Sequence, residues 1–144
     1  MVWNGVPLWA RRYVEWRLRT HRETVKMLEE WREDKIPSGT ANYTPREGKG
    51  GAGSASTEAV ALRITEDVFF ARAEKETRAI QHVLIRLPSY DLKLIKLLYW
   101  QREYTITGAA LEVGMSEATA RRHVNRIIRA IAEKIGILER SDDK

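Results

Sequence analysis

Large side chains recur along this chain in steps of three and four, and no stretch sustains the every-second-residue alternation of a half-buried strand. Trp9, Tyr13, Trp16, Thr20, Thr24, Met27 and Trp31 form one such stripe, widened by Leu18, Val25 and Leu28. Leu62, Phe69, Ala73, Ile80, Val83, Leu84 and Leu87 form a second, with Glu76 as its polar member. Leu92, Ile95, Leu98 and Tyr99 form a third. The pattern predicts an all-α protein. One long helix is expected over 8–35 and another over 57–87, as a hairpin or as extended helices. Shorter helices follow over 90–101, 106–113 and 117–136.

Punctuation sets the boundaries. Pro37 and Pro88 stop the two long helices, because a proline pushes the residue before it out of helical geometry. Thr57 and Ser89 are candidate caps for the helices that follow. The division expected is an amphipathic helix over 1–36, a glycine-rich flexible linker over 37–57, a long helix over 58–87, a C-terminal helical domain over 88–140 and a disordered tail over 141–144. Lys49 inside Gly48–Gly53 is not a phosphate loop: Gly50 follows it where Ser or Thr is required, and no apolar strand precedes it.

Charge is unevenly placed. The chain carries a formal net charge of +5. Residues 92–140 hold nine Lys or Arg against five Asp or Glu, whereas residues 58–91 hold five against six. A positive field over the C-terminal part suits a polyanion. With no cysteine, disulfides and thiolate metal sites are excluded. His21 and His82 have no companion at metal-ligand spacing. No cofactor or metal site is expected. No run of apolar residues is long enough for a membrane span, and no leader is recognised, so a cytoplasmic protein is expected.

Thr107–Asn125 carries the functional expectation. A helix-turn-helix needs a small residue in its first helix, here Ala110, and a residue tolerant of left-handed geometry four positions on, here Gly114. An apolar plug follows in Met115, then a cap in Ser116 with Thr119 three places later. The second helix turns Ala120, Val124, Ile127, Ile128 and Ile131 inward. It turns Glu117, Ala118, Arg121, Arg122, Asn125 and Arg129 outward. Arg121 and Arg122 are the candidates for guanine, Asn125 for adenine and Glu117 for cytosine. Ser116, Thr119 and Arg126 are better placed for phosphates, and His123 is a phosphate contact or a bystander. Double-stranded DNA is the expected partner.

Two resemblances attach to these residues. The block Leu87-Pro88, Leu94-Ile95, Leu98-Tyr99 and the helix pair resembles region four of bacterial sigma factors, which binds promoter DNA. Over most of its length the chain resembles the RinA and ArpU group of phage late-gene transcriptional regulators. That likeness rests on His21-Arg22-Glu23-Thr24, on Gly48–Ser54 joined to Thr57-Glu58 and Ala61-Leu62-Arg63, on Leu98-Tyr99-Trp100, and on Ala130–Glu133 with Ile135–Leu138. It implies a phage or prophage activator of late operons. The chain departs from the pattern at Ile106-Thr107-Gly108, where an aromatic and an acidic residue are expected. Gly108 there costs about 1 kcal/mol of helix propensity against alanine.

Trp9, Trp16 and Trp31 on one stripe exceed what a solitary helix carries in water. Three coverings are open: the other long helix of the same chain, a homodimer, or RNA polymerase. The competing function is a phage small terminase subunit, also helical and basic. An enzyme is not expected, because no nucleophile or carboxylate cluster stands beside a base or a metal ligand.

Overall fold

The structure, a computed structural model, describes residues 2–3, 5–35 and 57–140. The linker expected over 37–57 and the tail expected over 141–144 lie outside the described residues, except for Thr57, which belongs to a helix. A two-stranded antiparallel turn opens the chain, β1 (Val2–Trp3) on β2 (Val6–Pro7), with Gly5 at φ +79 between them. Six α-helices follow: α1 (Leu8–Arg19), α2 (His21–Lys35), α3 (Thr57–Leu84), α4 (Ser89–Ile95), α5 (Ile106–Val113) and α6 (Glu117–Ile135). A π-helical stretch, Lys96–Gln101, prolongs α4 and ends where Arg102 takes φ +63. Among the described residues the fold is all-α apart from the opening turn.

Three boundaries differ from expectation. The helix over 8–35 is two helices, broken at Thr20 (φ −99, ψ 8), whose hydroxyl donates to the Trp16 carbonyl at 3.0 Å. Ser89 is the first residue of α4 and not its cap; Pro88 fills that place without a side-chain hydrogen bond. The division into domains also moves. One compact unit joins Met1–Arg22 to Glu76–Lys144, and the other is Glu23–Lys75, so both boundaries run through helices.

In the first unit one core gathers the chain's two ends. Val14 and Leu18 of α1 join Ile80 and Leu84 of α3, Leu94 and Ile95 of α4, and Ile127, Ile128 and Ile131 of α6, all 6% exposed or less. The buried face of α1 is therefore Ala10, Val14, Arg17 and Leu18, one residue round from the tryptophan stripe. Trp9 and Trp16 are 61% and 50% exposed, so the other long helix of the same chain does not cover them, contrary to that one of the three expected coverings. The neighbouring stripe wins because its small and branched side chains allow close helix approach, and because its arginine meets a hydroxyl and a carboxylate of α3. Arg17 donates to the Thr77 hydroxyl at 3.2 Å and lies 3.5 Å from the Glu76 carboxylate. Glu76 also accepts from the Tyr13 hydroxyl at 2.5 Å, which explains the acid on the apolar stripe of α3.

His21 is buried in the same unit, its ring stacked on Trp100 at 6.3 Å and its Nδ1 without a hydrogen bond. Burial, and then the Arg17 guanidinium, hold its pKa below the ordinary 6.5. A group that stays neutral when folded but protonates when unfolded stabilises the fold only above its unfolded pKa. Stability is thus expected to fall as pH drops below about 6.5. Urea midpoints of the native chain should decline between pH 7 and pH 5 more steeply than those of His21→Gln. Parallel declines would contradict this role.

In the second unit α2 lies against α3. Trp31 stacks on Phe70 at 4.8 Å, Arg32 pairs with Glu74 at 2.8 Å, and Leu28 and Ala73 are buried. The hairpin expectation holds there for Trp31. Leu62 and Phe69, expected inward, are 62% and 57% exposed.

Candidate nucleic-acid interface

The turn between α5 and α6 follows from its residues. Gly114 takes φ +86, a left-handed conformation that costs other residues roughly 1–2 kcal/mol. That conformation lets the amides of Gly114 and Met115 both donate to the Ala110 carbonyl at 2.9 Å, closing the end of α5. Ser116 then caps α6, its Oγ accepting from the Thr119 amide at 3.1 Å. Ala109, Ala110 and Ala120 are buried at 2% or less, so small side chains line the approach of the two helices.

The start of α5, which carries Gly108, is well made. Thr105 caps it by accepting from the Gly108 amide at 3.1 Å. A methyl group on Gly108 would meet the Thr105 hydroxyl at 3.5 Å and Tyr104 at 3.6 Å, ordinary contact distances. Gly108→Ala is therefore expected to stabilise by about 1 kcal/mol and raise Tm by about 4 °C. A lowered Tm in calorimetry would contradict that account of the helix start.

On α6 the outward residues divide. Arg121 is held by Glu117, with Nε at 3.1 Å and Nη2 at 2.5 Å from one carboxylate oxygen, and Glu117 also accepts from Thr107 at 2.8 Å. Those hydrogen bonds, Arg121 first and Thr107 next, hold the Glu117 pKa below the usual carboxylate range. Arg122 donates to the Thr119 hydroxyl at 3.1 Å, and Ser116 donates to the same oxygen at 2.9 Å. The side chains of Arg121 and Arg126 are 50% and 64% exposed, and Ala118 and Arg122 are exposed beside them. Arg129 is turned along the helix to Glu133 at 2.9 Å, its guanidinium lying over Gly5. A side chain at Gly5 would meet that guanidinium at 2.5 Å.

Asn125 is the correction. It is buried at 8%, and its Oδ1 accepts from Arg11 of α1 at 2.6 Å. Asn125 therefore leaves the outward face, because α1 packs along that flank of α6. Arg11 pairs in turn with Glu15 at 3.4 Å, and Glu15 accepts from the Tyr99 hydroxyl at 2.9 Å. Burial, then the Glu15 charge, push the Tyr99 pKa up from 10, so the phenol remains a donor. A cleft of about 240 Å³ opens here, with Arg11 and Arg121 at its rim and Leu98, Ile106 and Val124 among its walls.

His123 is also placed differently from expectation. Its Nδ1 lies 2.6 Å from Oδ1 of Asp91, a carboxylate 2% exposed in the first turn of α4. The second carboxylate oxygen lies 3.8 Å from Arg126. Asp91 thus ties α4 to the middle of α6. The sequence held a hint of it: Asp91 shares a helical face with Leu94, Ile95 and Leu98.

Among the described residues no group of three or more His, Asp or Glu side chains is placed to hold a metal ion, and no helix is long and apolar enough to cross a membrane. No protein-family model, curated protein or solved structure matches the chain.

Proposed function

We propose that the chain is a sequence-specific regulator of transcription that binds double-stranded DNA through α6. The observation that carries this is a capped helix, set by a left-handed glycine turn, whose exposed first half presents Arg121, Arg122 and Arg126. The first turns of a recognition helix are the part that meets base edges in the major groove. Arg121 and Arg122 are the base-reading residues, each able to grip O6 and N7 of guanine. Arg126, Ser116 and Thr119 serve the backbone. Asn125 is withdrawn from base reading, and Arg129 reaches a phosphate only by leaving Glu133. The resemblance to the RinA and ArpU group supports late-gene activation in a phage-infected bacterial cytoplasm, with RNA polymerase as a second partner.

The test is competition binding with DNA fragments from around the chain's own gene. One fragment should be retained at least about a thousandfold better than the rest. Its affinity should fall with salt at a slope set by about four to eight phosphate contacts. Equal retention of every fragment would reduce α6 to a phosphate-binding surface.

A further inference from the structure

The cleft of about 240 Å³ beside α6 has apolar walls, Leu98, Ile106 and Val124, and a polar rim. Apolar walls with a few convergent polar groups are the common character of small-molecule sites. Leu98 belongs to the π-helical stretch Lys96–Gln101, a rare form that is frequent at functional sites. The unused polar atoms at the rim are donors. Asn125 is 8% exposed, and its Oδ1 is taken by Arg11. Its Nδ2 has no partner among the described residues. In so sheltered a place a hydrogen bond to an acceptor is stronger than at an open surface. Arg121 stands one helical turn before Asn125 and lines the same cleft. Glu117 takes its Nε and Nη2, and its Nη1 donates to none of the described residues. The acceptor at the rim is already engaged: Glu15 takes the Tyr99 hydroxyl at 2.9 Å and pairs with Arg11 at 3.4 Å.

The ligand that answers this set is an acceptor with negative charge. Arg11 and Arg121 against Glu15 make the lining net positive. A carboxylate suits it better than a phosphate. Its oxygens lie in one plane, as do the donors of an amide and a guanidinium. A single charge is also repelled less than a double one by Glu15 and Glu117. Because a cavity of about 150 Å³ holds benzene, this one takes an apolar body of roughly six to eight carbons with the carboxylate attached. We infer that the cleft binds a small organic carboxylate of this kind, its oxygens on Asn125 Nδ2 and Arg121 Nη1 and its apolar body against Leu98, Ile106 and Val124. Arg121 is then held by two carboxylates, the ligand's and that of Glu117, so the bound molecule competes with guanine for it. The competition rests on base reading by Arg121; the site itself does not.

Sodium benzoate is the probe. Titrated into the full chain, it should shift the side-chain amide resonances of Asn125 saturably, with a dissociation constant on the order of 1 mM. Acetate, which lacks the apolar body, and benzamide, which lacks the charge, should bind about tenfold more weakly or worse. Asn125→Asp keeps the acceptor for Arg11 but turns the donor into a second acceptor, and should weaken benzoate by about tenfold or more. Ile106→Trp fills the cleft and leaves both donors in place, and should weaken it likewise; circular dichroism checks that both variants keep their helices. At saturation, benzoate should lower retention of the selected DNA fragment by about tenfold relative to acetate at equal ionic strength. Absence of a saturable shift at Asn125 overturns the site. So does equal binding of acetate or benzamide, or benzoate binding undiminished in either variant. Retention unchanged by saturating benzoate overturns the competition. The resonance shift is read without DNA, so the site fails or stands separately from base reading by α6.

Discussion

Arg121→Ala combined with Arg122→Ala is expected to cut affinity for the selected fragment by about a thousandfold while lowering affinity for competitor DNA by about tenfold or less. Each bidentate arginine–guanine contact is worth roughly 1–3 kcal/mol of discrimination. Two of them together supply about 4 kcal/mol, and each 1.4 kcal/mol is a factor of ten. Neither side chain is needed for the fold: both are exposed, and Arg121 is bonded only to Glu117 on its own helix. Glu117 makes the prediction sharper. It holds the Arg121 guanidinium along the axis of α6, so contact with a base requires its release. A correct site repays that exchange with two directed hydrogen bonds, whereas a random phosphate repays it with less. Electrophoretic competition between selected and scrambled duplexes checks the ratio. An equal loss on both would show that the arginines supply charge and no reading.

Asp91→Ala is expected to destabilise the first unit by about 2–3 kcal/mol, measured by urea denaturation. The carboxylate is 2% exposed and lies 2.6 Å from His123. Removing the carboxylate leaves the His123 ring nitrogen without its buried hydrogen-bond partner, typically at a cost of about 1–3 kcal/mol. His123 keeps 19% exposure, so water offsets part of that. Two further contributions go with the carboxylate: its favourable place in the first turn of α4, and the more distant attraction to Arg126 at 3.8 Å. The double variant Asp91→Ala, His123→Ala should lose less than the sum of the single losses, because the two residues share one interaction. A loss under about 0.5 kcal/mol would make the pair no stronger than a surface one. DNA selectivity should fall together with stability, since Asp91 and His123 fix the rotation of α6 on which Arg122 and Arg126 are presented.

The α5–α6 turn was readable because each of its requirements is local. Gly114 at φ +86, Ser116 accepting from the Thr119 amide and Ala110 buried at 2% all depend on residues within a few positions of one another. Even the unpromising Ile106-Thr107-Gly108 start fell where helical spacing put it, secured by Thr105. Asn125 failed for the opposite reason. Nothing near it in the chain announces Arg11, more than a hundred residues away, and only its burial under α1 removed it from the outward face. His123 failed likewise, since its partner Asp91 belongs to another helix.

The amino-acid sequence alone determined most of the helices and the caps of the α5–α6 turn, because backbone hydrogen bonding and side-chain period are properties of neighbours in the chain, but the break at Thr20 and the start of α4 escaped it. Tertiary packing alone decided which face of α1 turns inward, whereas the apolar face of α6 followed from its period. The large Trp9 and Trp16 stripe of α1 was passed over for Ala10, Val14, Arg17 and Leu18. Small and branched side chains bring α1 close against α6, and Thr77 and Glu76 of α3 give the buried Arg17 a hydrogen bond and an ion pair. Periodicity fixes that a helix has two stripes one residue apart. The partners that each stripe meets decide which one is buried.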